Sequence, residues 1–309
     1  MAATVTSGYN GEFLDEIVIQ LTTGNPTVSG DNIRIHSGIN KKLSIVRLKA
    51  SDIIQAYKAT PEASDSGTLA YDETSALTGS YMLYARFDPE TYADLWRPFQ
   101  PTGAFVFQTL PDAVKMSILK EYIRVHSEHL EQIIWQGDST LAAPSNMRYF
   151  DGAFKKAADD ANVIDVATPV TLTDVNIVGE LGRVLAATPK KVKDHPDFKI
   201  FISTEDHELY GDAQAAKSTK GTNDWDEAPL KFKGKNLVPL PGVPKDKMLA
   251  LVASSAITSN FHLAIKFRDD ANTIKADVVA NDSEEHFVKM AFRAGVLFSF
   301  GEEVTAYNA

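Results

Sequence analysis

The sequence predicts an α+β fold in which one long amphipathic helix covers a long antiparallel sheet, while extended segments reach away from the body. Three observations predict it. Residues 112 to 136 repeat apolar side chains at helical spacing, and residues 288 to 300 alternate with strict period two. Two polar stretches, 1 to 41 and 61 to 80, hold too few apolar residues to build cores of their own.

Residues 1 to 41 are rich in Gly, Ser, Thr and Asn (SGYNG, TTGNPTVSGDN, HSGIN), with a single apolar island from Phe13 to Leu21. Such a segment is expected to be an arm that becomes ordered by lying on something else. From Leu43 to Phe107 the pattern predicts strands around a polar excursion. LSIVRLK and YMLYARF read as the strands, and PEASDSGTLAYDETSALTGS between them has loop chemistry. A structureless excursion of that length is out of place in a compact monomer and points to a partner that orders it.

The stretch DAVKMSILKEYIRVHSEHLEQIIWQ is the clearest helix, with Asp112 as N-cap and Gly137 as stop. Met116, Leu119, Ile123, Leu130 and Ile134 share one stripe, flanked by Ile118, Tyr122, Val125 and Ile133. Lys120, Glu121, Arg124, Glu128 and Glu131 fall opposite. At about 1.5 Å per residue the rod is roughly 38 Å long. A second helix is expected over Thr173 to Ala187. FKIFIS then reads as a buried strand, and a third helix starts at Ser203, where Ser203 and Asp206 resemble a capping box. In the C-terminal third, Leu263, Ile265 and Phe267, then Ile274, Ala276 and Val278, then Val288 through Phe300 predict a long meander with one apolar face. Its last strand is about 43 Å long at ~3.3 Å per residue.

Composition narrows the function. Hydrophobic residues make up 44% and charged residues 23%, as in folded domains. The chain has no cysteine, which removes disulfides, thiolate nucleophiles and thiolate metal sites together. The net charge of −10 argues against a protein that grips nucleic-acid phosphates. No apolar run reaches the ~20 residues of a membrane span. MAATVTSGYNGEF lacks the basic and apolar regions of a signal peptide, so a cytoplasmic site of synthesis is expected.

Phosphate-binding glycine loops, the G-x-S-x-G elbow, H-E-x-x-H and calcium loops are all missing from the sequence. His126, Glu128 and His129 have the helical spacing of a zinc pair, although imidazoles on the apolar side of a helix more often pack than ligate. Asp282, Glu284 and Glu285 could attract calcium, yet acidic residues between strands are usually just solvated. Asp224, Trp225 and Asp226 read either as a local turn or as a tip that meets a partner. A Ser, His and Asp triad scattered along the chain leaves no local signature, so a soluble hydrolase stays an alternative.

The ordered parts resemble the major capsid proteins of tailed phages, the Hong Kong 97-type fold that encapsulin shells share. IIWQGDSTLAAPSNMRYFDGAFKKA is similar to the family's passage at the end of its spine helix, with Gly137, Asp138 and Gly152 in place. FKIFISTEDHELY resembles its strand-then-helix step, and NDSEEHFVKMAFRAGVLFSF its acidic turn followed by a long strand. The resemblance implies an N-terminal arm at 1–41, an extended β-hairpin loop at 42–109 and a peripheral domain with the spine helix at 110–189 and 268–309. It places an axial domain at 190–267. It further implies a shell of hexamers and pentamers enclosing double-stranded DNA without sequence-specific contact, with a portal and a separate scaffold as partners and no membrane. The expected location is the virion, assembled in a host cytoplasm. An encapsulin compartment is the alternative within the same fold, and a viral tail tube a more distant one. Members that join subunits by Lys-to-Asn bonds have Asn after an FVK stretch, where this chain has Met290. Lys49, Lys58, Tyr71 and Trp225 are the candidates for subunit contact. No catalytic residue, metal or cofactor is expected.

Overall fold

The computed structural model describes residues 25–54, 56–60, 67–87, 112–215, 230–266, 274–279 and 285–308. The N-terminal half holds α1 (Pro26–Ser29), β1 (Arg34–Ser37), β2 (Lys42–Ser51), β3 (Thr68–Leu77), β4 (Gly79–Phe87), α2 (Asp112–Gln136), α3 (Ala153–Asp159) and β5 (Ile164–Asp165). After it come α4 (Ile177–Ala187), α5 (Lys190–Lys193), β6 (Phe198–Ser203), α6 (Thr204–Ala215), β7 (Lys231–Phe232), β8 (Lys235–Leu240) and β9 (Lys247–Val252). The chain closes with β10 (Phe261–Ile265), β11 (Ile274–Val278), β12 (His286–Phe298), a 3-10 turn at Gly301–Glu303 and β13 (Thr305–Asn308).

The long strand β12 organises the first sheet. β11 pairs with its residues 286–290 and β10 with 294–298, both antiparallel. β4 runs antiparallel along 286–294 and so must occupy the opposite edge. β10 and β11 therefore lie end to end against one strand, where the sequence suggests a three-strand meander. Along the first part of β12 the side chains alternate between buried and exposed, as a sheet with one covered face requires. From Ala294 to Phe298 both faces are buried. There the foot of β2 and β3 packs on the second face, through Leu43 and Ala76 against Ala264 and Leu297.

Helix α2 covers the first face. Ile123, Leu130, Ile133 and Ile134 share a core with Val288, Met290, Phe292, Val296 and Phe298, and Trp135 sits among Phe154, Phe201 and Phe261. Glu131 departs from the expected polar face, being only 2% exposed. The Thr27 backbone N–H and hydroxyl donate to its carboxylate at 3.0 and 2.6 Å, and the Trp135 indole donates to the Thr27 hydroxyl at 2.8 Å. Burial pushes the Glu131 carboxyl up, against the pull of those donors. This network pins α1 to α2, and β1 pairs in parallel with β10. Residues 25–41, read from sequence as part of an arm, thus pack on the body of their own chain. The rest of that expected arm lies outside the described residues.

The second sheet has the order β5-β13-β9-β6-β8-β7. In β6 and β9, Phe201, Leu249 and Leu251 face the α2 core, while Ile200, Ile202, Met248 and Ala250 face α4. A sheet covered on both sides explains why FKIFIS and KMLALV are nearly continuous apolar runs. β5 and β13, both within the range expected for the peripheral domain, hydrogen-bond into this sheet. The Asp206 N–H donates to Ser203 Oγ at 3.0 Å, so the expected cap opens α6. Helix α4 begins later than expected, because Thr173 and Asn176 bond to each other's backbone N–H groups in a preceding turn.

The glycines after α2 are required by backbone contact. The Gly152 N–H donates to the Gly137 carbonyl at 2.8 Å, and a Cβ on Gly152 would come within 2.6 Å of the Gly137 nitrogen and the Ile133 oxygen. Gly152→Ala is expected to cost about 2 kcal/mol, the usual penalty for overpacking, read as a lowered urea midpoint at unchanged slope.

Candidate subunit-assembly site

Strands β2 and β3 form a two-stranded sheet of their own, paired from Lys42↔Leu77 to Ser51↔Thr68. Residues 68–77 correct the reading of this stretch as loop. Their Thr and Tyr residues suit a strand, and Asp72 and Glu73 meet Arg47 and Lys42 across the pair. YMLYARF, the other strand expected in this stretch, is β4 and pairs with β12.

Register sorts the hairpin into two unlike faces. On one lie Leu43, Ile45, Arg47 and Lys49 with Ala76, Thr74, Asp72 and Ala70. This face is tied down: Arg47 donates to the Ser299 carbonyl at 2.9 Å, and Lys49 Nζ lies 2.7 Å from a Glu302 carboxylate oxygen. On the other lie Val46, Leu48, Leu69, Tyr71 and Leu77, each between 53% and 75% exposed. Beyond the paired stretch Ile54 and Tyr57 are almost fully exposed, at 99% and 93%. An isolated hairpin is marginally stable in water. One whose outward face carries five exposed apolar side chains beside the Lys42–Glu73 ion pair presents a surface made to be covered. Covering it would gain on the order of 1–2 kcal/mol for each large side chain.

Of the sequence candidates, Tyr71 lies on this outward face, while Lys49 is engaged within its own subunit. Lys58 is exposed in the segment that follows β2. Trp225, with Asp224 and Asp226, lies outside the described residues, as do Asp282 and Glu284. Glu285 is exposed and faces Arg86 at 3.9 Å. Val46, Leu48, Leu69, Leu77, Ile54 and Tyr57 escape the sequence reading, although Val46 with Leu48 and Leu69 with Tyr71 each carry a period-two signal.

The histidine pair on α2 does not converge on a metal. His126 stacks on Phe292 at a centroid distance of 3.9 Å and meets the Tyr81 hydroxyl at 3.0 Å through Nε2. His129 instead reaches the Asn146 carbonyl at 3.1 Å, and Glu128 pairs with Arg124. Among the described residues no group of three or more His, Asp or Glu side chains is placed to hold a metal ion, and no helix is long and apolar enough to cross a membrane.

The chain matches no protein-family model and no curated protein. Its fold nevertheless matches solved shell proteins over nearly their whole length. The capsid subunit of cyanophage A-1(L) is 11% identical, with 99% of this chain and 96% of that one covered, at a TM-score of 0.58. A subunit of the satellite phage P4 procapsid is 11% identical, with 94% and 97% covered, at 0.57. An encapsulin complex from Synechococcus elongatus is 10% identical, with 92% and 87% covered, at 0.54. The chain has the Hong Kong 97-type fold of phage capsid and encapsulin shells.

Proposed function

We propose that this chain is the coat subunit of an icosahedral phage head, a structural protein that closes into a shell around double-stranded DNA. The observation that carries the reading is the β2–β3 hairpin, whose outward face holds Val46, Leu48, Leu69, Tyr71 and Leu77 exposed, on a fold that builds shells. Many modest contacts repeated by symmetry make a stable container without one dominant interface. In this reading the hairpin overlaps a neighbouring subunit, and the part of the expected arm before residue 25 continues onto another. Hexamers and pentamers meet through the body around residues 190–267, to which β5 and β13 add strands. The peripheral body is 110–189 with 268–309. A portal and a separate scaffold complete the head, which forms in the host cytoplasm. The charge of −10 favours a wall that does not hold the packaged genome by its phosphates.

The second reading, an encapsulin compartment, is favoured by the likeness to the Synechococcus elongatus shell. Negative-stain microscopy of the expressed chain, alone and with candidate scaffold, is expected to reveal closed particles of uniform size. Co-purifying DNA supports the head and co-purifying protein cargo the compartment. A chain that stays monomeric at high concentration under all these conditions refutes both.

A further inference from the structure

A cavity of about 560 Å³ opens between β1, the foot of β2, α5 and the 3-10 turn. Three permanent cations line it, Arg34, Arg47 and Lys191, against a single carboxylate, Glu303. That is a local excess of positive charge in a chain whose net charge is −10. Arg47 is committed to the Ser299 carbonyl and to Asp72. Among the described residues Arg34 donates only one hydrogen bond, a long 3.4 Å contact with the Ile257 carbonyl, out of its five donors. Lys191 is exposed and donates no hydrogen bond among the described residues.

Three imidazoles add donors. His195 Nδ1 accepts the Asp197 N–H at 3.1 Å, which leaves the neutral ring with its proton on Nε2. His36 Nε2 lies 3.1 Å from His262 Nδ1, and His262 Nε2 lies 2.6 Å from Ser299 Oγ. One proton serves each link of this chain. When Ser299 donates to His262 and His262 to His36, the free Nδ1 of His36 carries a hydrogen. Burial, with Glu302 adjacent, pushes the Glu303 carboxyl up, so its negative charge is the more easily given up. Val192, Val252, Ile257 and Phe300 give apolar wall, and Thr258, Ser259 and Asn260 add polar groups. A concave volume lined by apolar side chains with a few charged and polar groups among them is the usual form of a small-molecule site.

The geometry points to a binding site for the phosphate group of a small phosphorylated compound, held by Arg34 and Lys191 with His36 and His195, its organic part against Val192 and Phe300. A bare surface cluster of solvated lysines would lack both the concavity and the imidazole chain. The site belongs to the single subunit and stands whether or not the shell reading does.

The test is calorimetric titration of the full chain, in subunit form and at low ionic strength, with inorganic phosphate, adenosine monophosphate and a short DNA duplex. One saturable site per subunit is expected for phosphate and a tighter one for the mononucleotide. Removing either cation should weaken binding at least tenfold, which is about 1.4 kcal/mol. Arg34→Ala and Lys191→Ala are surface changes expected to leave the fold intact, Lys191→Arg should retain binding, and Lys190→Ala, on the same short helix but off the cavity wall, is the control. If Arg34→Ala fails to fold, Lys191→Gln alone decides. Absence of saturable binding by wild type, equal loss on Lys190→Ala, or binding by duplex DNA alone overturns the proposal.

Discussion

Leu48→Asp is expected to leave the subunit folded and to abolish its assembly. The side chain is 62% exposed and faces solvent beside Tyr71, directly across the strand pair. Within one subunit the substitution should therefore change stability by no more than about 0.5 kcal/mol. In the proposed shell the same face is covered by a neighbour, and each buried, unpaired carboxylate costs about 3 kcal/mol or more. That penalty recurs at every copy, whereas assembly depends on the sum of weak contacts. Lys49→Ala is the matched comparison on the opposite face. Its bond to Glu302 is an exposed ion pair contributing at most about 1 kcal/mol, and it lies within one subunit, so shells should still form. Circular dichroism reads the fold, and size-exclusion chromatography with negative-stain microscopy reads the particle. Normal shells from Leu48→Asp would remove the hairpin from the assembly contact altogether.

The contrast between Leu48 and Lys49 marks where the sequence stops being legible. Period two in LSIVRLK announces a strand, the same alternation announces β12, and a continuous apolar run announces β6. Which face points outward depends on register, and register is set here by Lys42↔Leu77 across a long connection with no tight-turn signature. β3 itself was hidden by its Ser, Thr and Asp content, which favours loops until a partner strand supplies Arg47 and Lys42. Helix α2, Asp112–Gln136, is legible because its apolar spacing is local, although Asp112, expected as the N-cap, is its first helical residue. Glu131 is not, since its position in the helical repeat puts it on the polar side and the Thr27 that buries it is 104 residues away. The imidazole chain is hidden for the same reason, His36 and His262 being 226 residues apart. Where identity to shell proteins has fallen to about a tenth, the order of elements and their two periodicities are what the fold retains.

Acid should destabilise the subunit through two buried histidines. His126 is 1% exposed between Tyr81 and Phe292, and its Nδ1 has no hydrogen-bond partner among the described residues. A second ring proton would be buried without an acceptor, so burial, with His129 nearby, holds the pKa down to about 3. Burial, with His36 and Arg34 close by, holds His262 at about 4. In the unfolded chain both rings titrate near 6.5. Above that pH neither state binds the proton and stability is unaffected. Below it the unfolded chain takes up protons that the folded one refuses, so each ring removes up to about 1.4 kcal/mol per pH unit. From pH 6.5 to 4.5 the two together should cost about 5 kcal/mol, comparable to the whole stability of a modest domain. Glu131 and Asp206 work in the other direction, because burial raises their carboxyls and the folded state takes their protons first. The histidine contribution is therefore isolated by difference. His126→Asn keeps an amide for the Tyr81 hydroxyl, should be less stable than wild type at pH 7.5, and should lose stability less steeply on acidification, by up to one proton's worth of slope. Urea midpoints measured from pH 7.5 to 4.5 decide it, and parallel profiles for the two proteins would mean that His126 is already charged in the folded subunit or is not buried there.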